Sequence, residues 1–306
     1  MRVFVVASFV EALCWFVPRL PIAGESLAAS RLEVGLGGKG LNVAVGLHRL
    51  GVEVDALIGC GRDEAGERLL RVLSAEGLHT RHVHRFEATS SGRGAGFIAP
   101  EGQSAIAVHP GANLLLTPAH VERAAEDLER AQLVYGQFEA SVEVLTAAFR
   151  RAHARGIPTV LNPSPWQEPP AALRETTHTL VVNEVEASRL LGTAPSSLEA
   201  LRPSLPALWA SWPECQRLVV TAGERGCLAF ERDGDALQAP ALPVSAVDTV
   251  GAGDAFSAGL CAALAEGAPL REALELGNAC GAHVAARIGV LEALPRGRPH
   301  ISSRTR

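Results

Sequence analysis

The stretch Asp248-Thr249-Val250-Gly251-Ala252-Gly253-Asp254-Ala255-Phe256 places small, flexible residues directly before a carboxylate, and an apolar helical pattern follows from Phe256 to Leu264. Glycines allow backbone N–H groups to turn toward one point, and a helix N-terminus adds partial positive charge there. Such a segment holds an anion, with Asp254 as a base at its edge. The stretch therefore predicts phosphate chemistry, with simple capping of the helix by Asp254 as the alternative.

The composition indicates a globular protein with a substantial core. The chain has 306 residues, of which 47% are hydrophobic and 20% are charged. This length allows one large α/β domain or two smaller ones. The net charge of −5 gives no reason to expect nucleic acid or an anionic membrane as a partner.

The first residues resemble a signal peptide only faintly. An apolar run from Val3 to Val10 follows Met1-Arg2, but Glu11 interrupts it and no small-residue cleavage site ends it. A buried first strand is the favoured interpretation. No apolar run approaches the roughly 20 residues of a membrane span, and the six cysteines form no CxxC pair. We expect a cytoplasmic protein with reduced thiols.

Strand and helix patterns alternate through most of the chain, which is typical of a doubly wound, mostly parallel α/β sheet with helices on both faces. Strands are predicted at residues 2–8, 52–58, 133–135, 159–161, 179–182, 218–221, 227–230 and 237–239. Helices are predicted at residues 43–50, 64–76, 118–131, 141–155, 184–191, 254–266 and 270–286.

Two extended segments, residues 10–34 and 86–109, have no helical pattern and are predicted to form a small β-sheet lid over the crevice of the large sheet. Within the second segment, the turn signal Ala99-Pro100-Glu101-Gly102 predicts a hairpin. The remaining parts are assigned to the α/β core, residues 1–9, 35–85 and 110–296, and to a flexible tail, residues 297–306.

A second glycine-rich stretch, Gly35-Leu36-Gly37-Gly38-Lys39-Gly40-Leu41-Asn42, matches the dinucleotide fingerprint, with Glu53 or Asp55 as its acidic partner. That interpretation is disfavoured because the stretch does not follow the first strand. A P-loop is disfavoured because Gly40 stands where Ser or Thr would hold magnesium. Close backbone approach, the Lys39 charge and the Asn42 amide suit a polyhydroxylated or partly anionic small molecule.

Together, Gly37–Asn42 and Asp248–Asp254 resemble the two signatures of the ribokinase-like (PfkB) carbohydrate kinases, closest to the ribokinase subfamily. The similarity runs from Val3 to about Pro295. Landmarks between the signatures also resemble the family, namely His109-Pro110-Gly111-Ala112-Asn113, Leu161-Asn162-Pro163-Ser164-Pro165, Asn183-Glu184-Val185-Glu186 and Thr221-Ala222-Gly223-Glu224-Arg225-Gly226.

The resemblance implies a kinase that transfers phosphate from ATP to a sugar. Asp254 matches the general base for the primary hydroxyl of the sugar. The backbone amides that match Ala252, Gly253 and Asp254 form the anion hole for the transferring phosphoryl group, and Gly251 precedes them in the same signature. The positions that face the sugar match Gly38, Lys39, Asn42 and Glu139. The positions that bind the nucleotide match Asn183, Thr221, Gly223, Gly226 and Asn278.

The resemblance also implies metal ions and a homodimer. Glu186 matches a residue that serves Mg²⁺ indirectly. A monovalent-cation site, expected to take K⁺, matches Asp248, Val250, Val284, Arg287 and Gly289. Ala293 replaces a serine that is usual at this site. The lid segments match the β-sheet that makes the dimer in ribokinases.

The chain departs from the ribokinase pattern at Val10 and Ala12, where an asparagine and an aspartate usually bind ribose hydroxyls. Strand alternation places Glu11 on the opposite face, so Glu11 is not a substitute. We therefore expect that D-ribose is not the preferred substrate. A less hydroxylated sugar, a nucleoside or a sugar phosphate that contacts Lys39 are the alternatives.

Two other classes of function stay open on the sequence alone, a dinucleotide-dependent oxidoreductase and a non-catalytic ligand-binding module. A metal site is a further alternative, because His79, His82 and His84 lie close together in the sequence. Their polar surroundings favour solvated surface histidines instead.

Overall fold

The structure is a computed structural model, and it describes residues 1–100, 103–193 and 199–299. In chain order its strands are β1 (Arg2–Val6), β2 (Val10–Phe16), β3 (Arg31–Gly37), β4 (Glu53–Gly61), β5 (Val83–Phe86), β6 (Gly92–Ile98), β7 (Ser104–His109), β8 (Leu133–Gln137), β9 (Thr159–Asn162), β10 (Thr179–Asn183), β11 (Arg217–Thr221), β12 (Cys227–Glu231) and β13 (Ala236–Ala239). Its helices are α1 (Lys39–Arg49), α2 (Glu64–Glu76), α3 (Pro118–Arg123), α4 (Ala125–Glu129), α5 (Val142–Ala154), α6 (Ala171–Arg174), α7 (Glu184–Leu191), α8 (Leu205–Ser211), α9 (Ala252–Ala265) and α10 (Leu270–Ala285).

Strand β1 lies inside a large sheet with the order β13-β12-β11-β10-β9-β8-β1-β4-β5. It pairs in parallel with β4 on one side and with β8 on the other. The run from β11 to β5 is parallel, while β12 and β13 add an antiparallel edge. The predicted mostly parallel α/β fold is confirmed.

Alternate residues of β1 enter two separate hydrophobic cores. Val3 and Val5 belong to the core that α1, α2, α9 and α10 cover. Phe4 and Val6 belong to the other core, which α3, α4, α5 and α7 cover. Successive side chains of a strand point to opposite faces, so this division requires helices on both faces. It also explains why the first strand is apolar at every position from 3 to 6.

A separate small sheet has the order β3-β2-β6-β7. Strand β2 pairs in parallel with β6, and β3 and β7 flank them as antiparallel neighbours. The two extended segments therefore pair, and β6 and β7 form the predicted hairpin, although Glu101 and Gly102 of its turn lie outside the described residues. We refer to this four-stranded sheet as the lid.

Several boundaries differ from the prediction. Strand β3 continues to Gly37, and Phe86 ends β5 of the large sheet instead of beginning the lid. The helix predicted at residues 118–131 is divided into α3 and α4 because Ala124 leaves helical geometry (φ −95°, ψ 6°). Residues 300–306 of the predicted tail lie outside the described residues.

The cysteine thiols are free and mostly buried. Cys14 is half-buried, whereas Cys60, Cys215, Cys227, Cys261 and Cys280 are buried. Burial raises the pKa of the Cys60 thiol to about 11 and that of the Cys215 thiol to about 12. These thiols are protonated at neutral pH and serve as core residues. Within the described ranges, no helix is both long and apolar enough to span a membrane.

The expectation of solvated histidines is wrong for His82. Its imidazole is buried, and Nε2 lies 2.9 Å from Oδ2 of Asp127. Asp55 completes a cluster whose potential ligand atoms lie within 4.8 Å of one another. However, Arg2 and Arg81 each contact both carboxylates. The guanidinium groups of Arg2 and Arg81 neutralise the two buried carboxylates, and Arg2 also pairs with Glu53, so we interpret the cluster as an ion network that joins β1, β4 and α4. His79 is exposed and His84 is half-buried.

The ion network predicts a loss of stability in Asp127→Asn. The carboxylate accepts hydrogen bonds from Arg2, Arg81 and His82, so we expect the free energy of unfolding to fall by roughly 2 kcal/mol. Glu126→Gln is the matched control, because Glu126 is exposed and its one ion pair among the described residues is with the exposed Arg130. The control should change stability by less than about 0.5 kcal/mol. Urea denaturation followed by circular dichroism measures both.

The difference in free energy of unfolding between the wild type and Asp127→Asn should depend on pH. Burial opposes ionisation of Asp127, but the His82 hydrogen bond and the Arg81 charge outweigh it and lower the pKa of this carboxyl. A lowered pKa contributes stability above the unfolded value, about 3.9, and this contribution is lost as pH falls through the folded value. The gap between the wild type and Asp127→Asn should therefore narrow below about pH 4. A constant gap from pH 7 to pH 3 would contradict the assignment.

Candidate active site

The predicted base and the second glycine stretch meet at the carboxyl edge of the large sheet. Asp254 lies in the first turn of α9, and Asn42 lies in the first turn of α1. The Asn42 amide Nδ2 donates to Oδ2 of Asp254 at 2.7 Å, although the two residues are 212 positions apart. The carboxyl edge of a parallel sheet, where helix N-termini converge, is the usual ligand site of such folds.

The N-terminus of α9 has the geometry expected of an anion site. Gly251 is its N-cap, with φ 79° and ψ −4°. A Cβ at this position would lie 2.4 Å from Cγ1 of Val290. The left-handed backbone conformation and the lack of space for a side chain both require glycine here. The Ala252 N–H donates to the Thr249 carbonyl at 3.2 Å. The N–H groups of Gly253 and Asp254 belong to the first turn, where helices leave N–H groups for other partners.

The Asp254 carboxyl is buried and has an unusual pKa. Burial raises the pKa to about 6, the nearby Lys39 charge and the Asn42 hydrogen bond lower it, and the Glu139 charge raises it. The cap of α9 is Gly251, so helix capping does not explain the position of Asp254. A carboxylate with a pKa near 6 is ionised at neutral pH and is a stronger base than an exposed aspartate.

Glu139 lies beside the N-terminus of α1. Its Oε2 accepts hydrogen bonds from the Lys39 N–H at 2.8 Å and from the Ser8 hydroxyl at 2.7 Å. Ser8 Oγ also accepts from the Gly40 N–H and from Gln137 Nε2, each at 3.1 Å. Ser8 and Gln137 are not among the residues predicted from the sequence. A signal was available, because both residues lie at the carboxyl ends of the neighbouring central strands β1 and β8.

Helix α1 begins at Lys39, earlier than its predicted start at residue 43, because groups distant in sequence satisfy its first N–H groups. Gly38 is its N-cap and has φ 107°. The Leu41 N–H donates to the Ser8 carbonyl at 3.0 Å. Gly35 and Gly37 lie in lid strand β3 and not at a turn after a central strand. A dinucleotide fingerprint needs a central parallel strand directly before its glycines, and this stretch has none.

The predicted nucleotide residues lie near the carboxyl ends of β10 and β11. Asn183 and Glu186 form a reciprocal capping box at the start of α7, with hydrogen bonds of 3.0 Å and 2.9 Å. Thr221 ends β11, and Gly223 and Gly226 follow it with φ 56° and 82°. Asn278 of α10 donates to the Ala239 and Pro240 carbonyls at 2.9 Å and 3.0 Å. The Asn278 side chain therefore holds the chain that leaves β13.

The two segments of the predicted monovalent-cation site lie side by side. The Val247 and Asp248 N–H groups both donate to the Ala285 carbonyl, at 2.7 Å and 3.2 Å. Oδ1 of Asp248 accepts from the Val250 N–H at 3.0 Å. The Val284 carbonyl accepts from the Arg287 N–H at 2.9 Å. Gly289 follows with φ 88°, and Ala293 is buried.

The lid presents two different faces. Glu11 contacts Arg68 of α2 at 3.2 Å and Arg93 of β6 at 3.5 Å. Val10 points to the opposite face. Its Cγ1 would lie 3.4 Å from a Cβ built on Gly94, and Gly94 alternates with Arg93, the residue that pairs with Glu11. Ala12 shares the Val10 face by strand alternation and pairs with Gly94. The expected orientation of these three positions is confirmed.

Comparison with known proteins identifies the family. Residues 2–296 match the family described as "pfkB family carbohydrate kinase". The chain is 34% identical to deoxyribokinase of Salmonella typhi over 84% of this chain and 83% of that protein. It is also 34% identical to ribokinase of Bacillus subtilis (strain 168), over 84% of each chain.

A solved structure shows the same fold. Arabidopsis thaliana ribokinase complexed with ribose and ATP superposes with a TM-score of 0.90 at 24% identity, covering 96% of this chain and 95% of that one. The two relatives that are 34% identical to this chain are kinases that phosphorylate sugars. The chain therefore belongs to the pfkB family of carbohydrate kinases, and it is a kinase that acts on an alcohol group.

Proposed function

We propose that this protein transfers the γ-phosphoryl group of ATP to the primary hydroxyl of a small sugar, with Asp254 as the general base. One observation carries the proposal: the buried Asp254 carboxyl, with a pKa of about 6, lies in the first turn of α9 and is held by Asn42. A base there takes the proton of a hydroxyl as the hydroxyl attacks a phosphoryl group bound at the helix N-terminus.

The residues around Asp254 suit a sugar. Asn42 uses Nδ2 on Asp254, while its Oδ1 is buried and has no hydrogen-bond partner among the described residues. A buried acceptor without a partner is costly, and a sugar hydroxyl would satisfy it. Lys39 supplies a donor and a positive charge, and Glu139 supplies an acceptor. The Gly38 backbone allows a ligand to approach closely.

The phosphoryl group would meet the first turn of α9. The N–H groups of Gly253 and Asp254 would donate to its oxygens, and the partial charge of the helix would favour the developing negative charge. The Ala252 N–H would have to exchange its 3.2 Å bond to Thr249 for a phosphoryl oxygen. Gly251, at the N-cap, adopts the left-handed conformation of the turn that leads into these N–H groups.

ATP is the proposed phosphoryl donor, since the Arabidopsis ribokinase structure holds ATP. We assign its binding to Asn183, Thr221, Gly223, Gly226 and Asn278. Glu186 fits a role near Mg²⁺, because its carboxyl is buried at the start of α7 and only Oε2 accepts a hydrogen bond among the described residues. When bound, Mg²⁺ neutralises phosphate charge during transfer.

We further propose a K⁺ site from the carbonyl and carboxylate oxygens of Asp248, Val250, Val284, Arg287 and Gly289. Oxygen donors suit a hard monovalent cation, and the Ala285 carbonyl holds the two segments together. A cation there would steady the turn that precedes α9, and thereby the N–H groups of the anion hole.

The lid would close over the sugar and exclude water, which otherwise competes for the phosphoryl group. Homodimerisation through the lid is also proposed. It is supported by the exposed apolar side chains of Leu32 and Val34, which lie on the same lid face as Glu11, opposite Val10, because neighbouring exposed apolar side chains mark interaction sites.

The proposed sugar carries fewer hydroxyls than ribose, and 2-deoxyribose is the first candidate. Val10 and Ala12 offer no hydrogen bond on the lid face opposite Glu11, so a hydroxyl buried there would lose its water partners without replacement. The relative in Salmonella typhi is a deoxyribokinase, which supports the same choice.

The general-base assignment predicts that Asp254→Asn folds normally and loses kcat by roughly 10²–10⁴-fold. The amide keeps the shape of the carboxyl but does not accept the proton. Asp233→Asn, an exposed aspartate in the turn between β12 and β13, is the control and should keep wild-type kcat. A coupled ADP-release assay over pentoses, hexoses, nucleosides and sugar phosphates measures both. Near-normal turnover of Asp254→Asn with the best substrate would refute the assignment.

The pH profile provides a second test. Asp254 acts in its ionised form, and burial raises its pKa to about 6, so kcat/KM should fall about tenfold per pH unit below that value. The Lys39 charge lowers this pKa. Lys39→Gln should therefore move the acid limb to higher pH. An acid limb in the range of ordinary aspartates, or one that ignores Lys39→Gln, would contradict the proposed base.

Substrate selection by the lid predicts that the enzyme uses 2-deoxyribose more efficiently than ribose, with a kcat/KM that is higher by about tenfold or more. The double variant Val10→Asn/Ala12→Asp should reduce or reverse this preference, since it adds polar partners for ribose hydroxyls. Leu13→Asn is the control, because residue 13 lies on the other face of β2. A wild-type enzyme that prefers ribose, with no change in the double variant, would refute selection by these positions.

A further inference from the structure

We propose that Ser8 and Gln137 are positioning residues, which fix the Glu139 carboxylate against the N-terminus of α1 and thereby set the affinity for the sugar. This inference rests on the proposed function. Both side chains are fully buried. Neither is assigned to ligand contact above.

The hydrogen-bond directions around Ser8 are determined by its partners. The Gly40 N–H and the Gln137 amide Nε2 are donors, and each lies 3.1 Å from Ser8 Oγ. They occupy the two lone pairs of the hydroxyl, so the single proton of Ser8 must point to Oε2 of Glu139 at 2.7 Å. The hydroxyl has no freedom to rotate without leaving a buried donor unpaired.

Gln137 holds Glu139 from a second side. Its Oε1 accepts from the Glu139 N–H at 2.5 Å, and its Nε2 donates to Ser8. The amide thus fixes the backbone of Glu139 and the orientation of the Ser8 proton together. Since Gln137 ends β8 and Ser8 follows β1, two neighbouring central strands form a rigid base for this carboxylate.

The arrangement leaves one oxygen of Glu139 for a ligand. Oε2 accepts from Ser8 and from the Lys39 N–H. Within the described part of the chain, Oε1 accepts no hydrogen bond. A carboxylate with one oxygen fixed and one free offers an acceptor in a set position, which reduces the entropy lost when a sugar hydroxyl binds.

Glu139 also acts on the base. Its negative charge is one of the groups that raise the pKa of Asp254, against the Lys39 charge and the Asn42 hydrogen bond. Release of Glu139 from Ser8 would let its carboxylate turn toward solvent and weaken this effect. A positioning role therefore predicts a change in the pH profile, which a purely structural hydroxyl would not cause.

The test compares Ser8→Ala and Gln137→Met with Thr159→Val. Thr159 is a matched control, because its buried hydroxyl also donates to one group, the Thr176 carbonyl at 2.5 Å, and accepts from another, the His178 N–H at 2.9 Å. Thr159 is the first residue of β9, so it lies at the amino ends of the parallel strands, whereas the candidate site lies at their carboxyl ends. Ser8→Thr, which keeps the hydroxyl, is the rescue variant. With deoxyribose as the sugar, each protein is assayed for its sugar KM, its ATP KM, the pH dependence of kcat and thermal stability.

We expect Ser8→Ala and Gln137→Met to raise the sugar KM about tenfold, to leave the ATP KM unchanged and to move the acid limb of kcat to lower pH. Ser8→Thr should restore the sugar KM and the acid limb toward wild type. Thr159→Val should lose stability with neither kinetic change. Loss of stability in Ser8→Ala at wild-type sugar KM and wild-type acid limb would overturn the inference.

A readout without catalysis separates this inference from the proposed function. If the wild type releases no ADP with any sugar, the proposed function fails. Amide hydrogen exchange then tests the positioning itself, because Ser8→Ala removes the acceptor of the Gly40 N–H and frees the acceptor of the Lys39 N–H. Faster exchange at these two amides supports the inference, and wild-type exchange overturns it.

Discussion

Gly40 allows the N-terminus of α1 to lie directly against the end of β1, and the geometry of the candidate active site depends on this contact. A Cβ at position 40 would lie 2.3 Å from the Cα of Ala7. The neighbouring backbone belongs to the central strand region and has no room to move aside. The close approach directs α1 toward α9, which brings Asn42 within 2.7 Å of Asp254.

The packing of α1 beside α9 has an electrostatic consequence. This packing buries the Asp254 carboxyl, and burial of a carboxyl disfavours its charged form. Lys39 and Asn42 offset part of this cost, while Glu139 adds to it, and the pKa reaches about 6. This balance suits the proposed general base, since a fully compensated carboxylate would be a weak base and an uncompensated one would stay protonated at neutral pH. The same contact therefore places the Asn42 amide against Asp254 and contributes to the burial that raises the pKa of this carboxyl.

The sequence was sufficient for elements whose signals are local. The apolar run at Val3–Val6 predicts a buried parallel strand, and the apolar pattern that follows Asp254 predicts the helix found there as α9, because each signal depends on adjacent residues. It was not sufficient where the partner is distant. The early start of α1 depends on Glu139 and Ser8, and burial of His82 depends on Asp127, forty-five positions away. Local composition contains no information about such partners.

In the proposed mechanism, the core holds the base and the lid selects the sugar. Asp254 and Asn42 belong to helices of the core, whereas Val10 and Ala12 belong to the lid sheet. The two parts join at Phe9, whose N–H and carbonyl both bond to the Asn113 side chain at 2.8 Å. This pair of bonds fixes where the chain leaves the core and enters β2. Under the proposed function, a change of side chain at position 10 or 12 would therefore alter which sugar fits beneath the lid, while Asp254 and its helix stay in place.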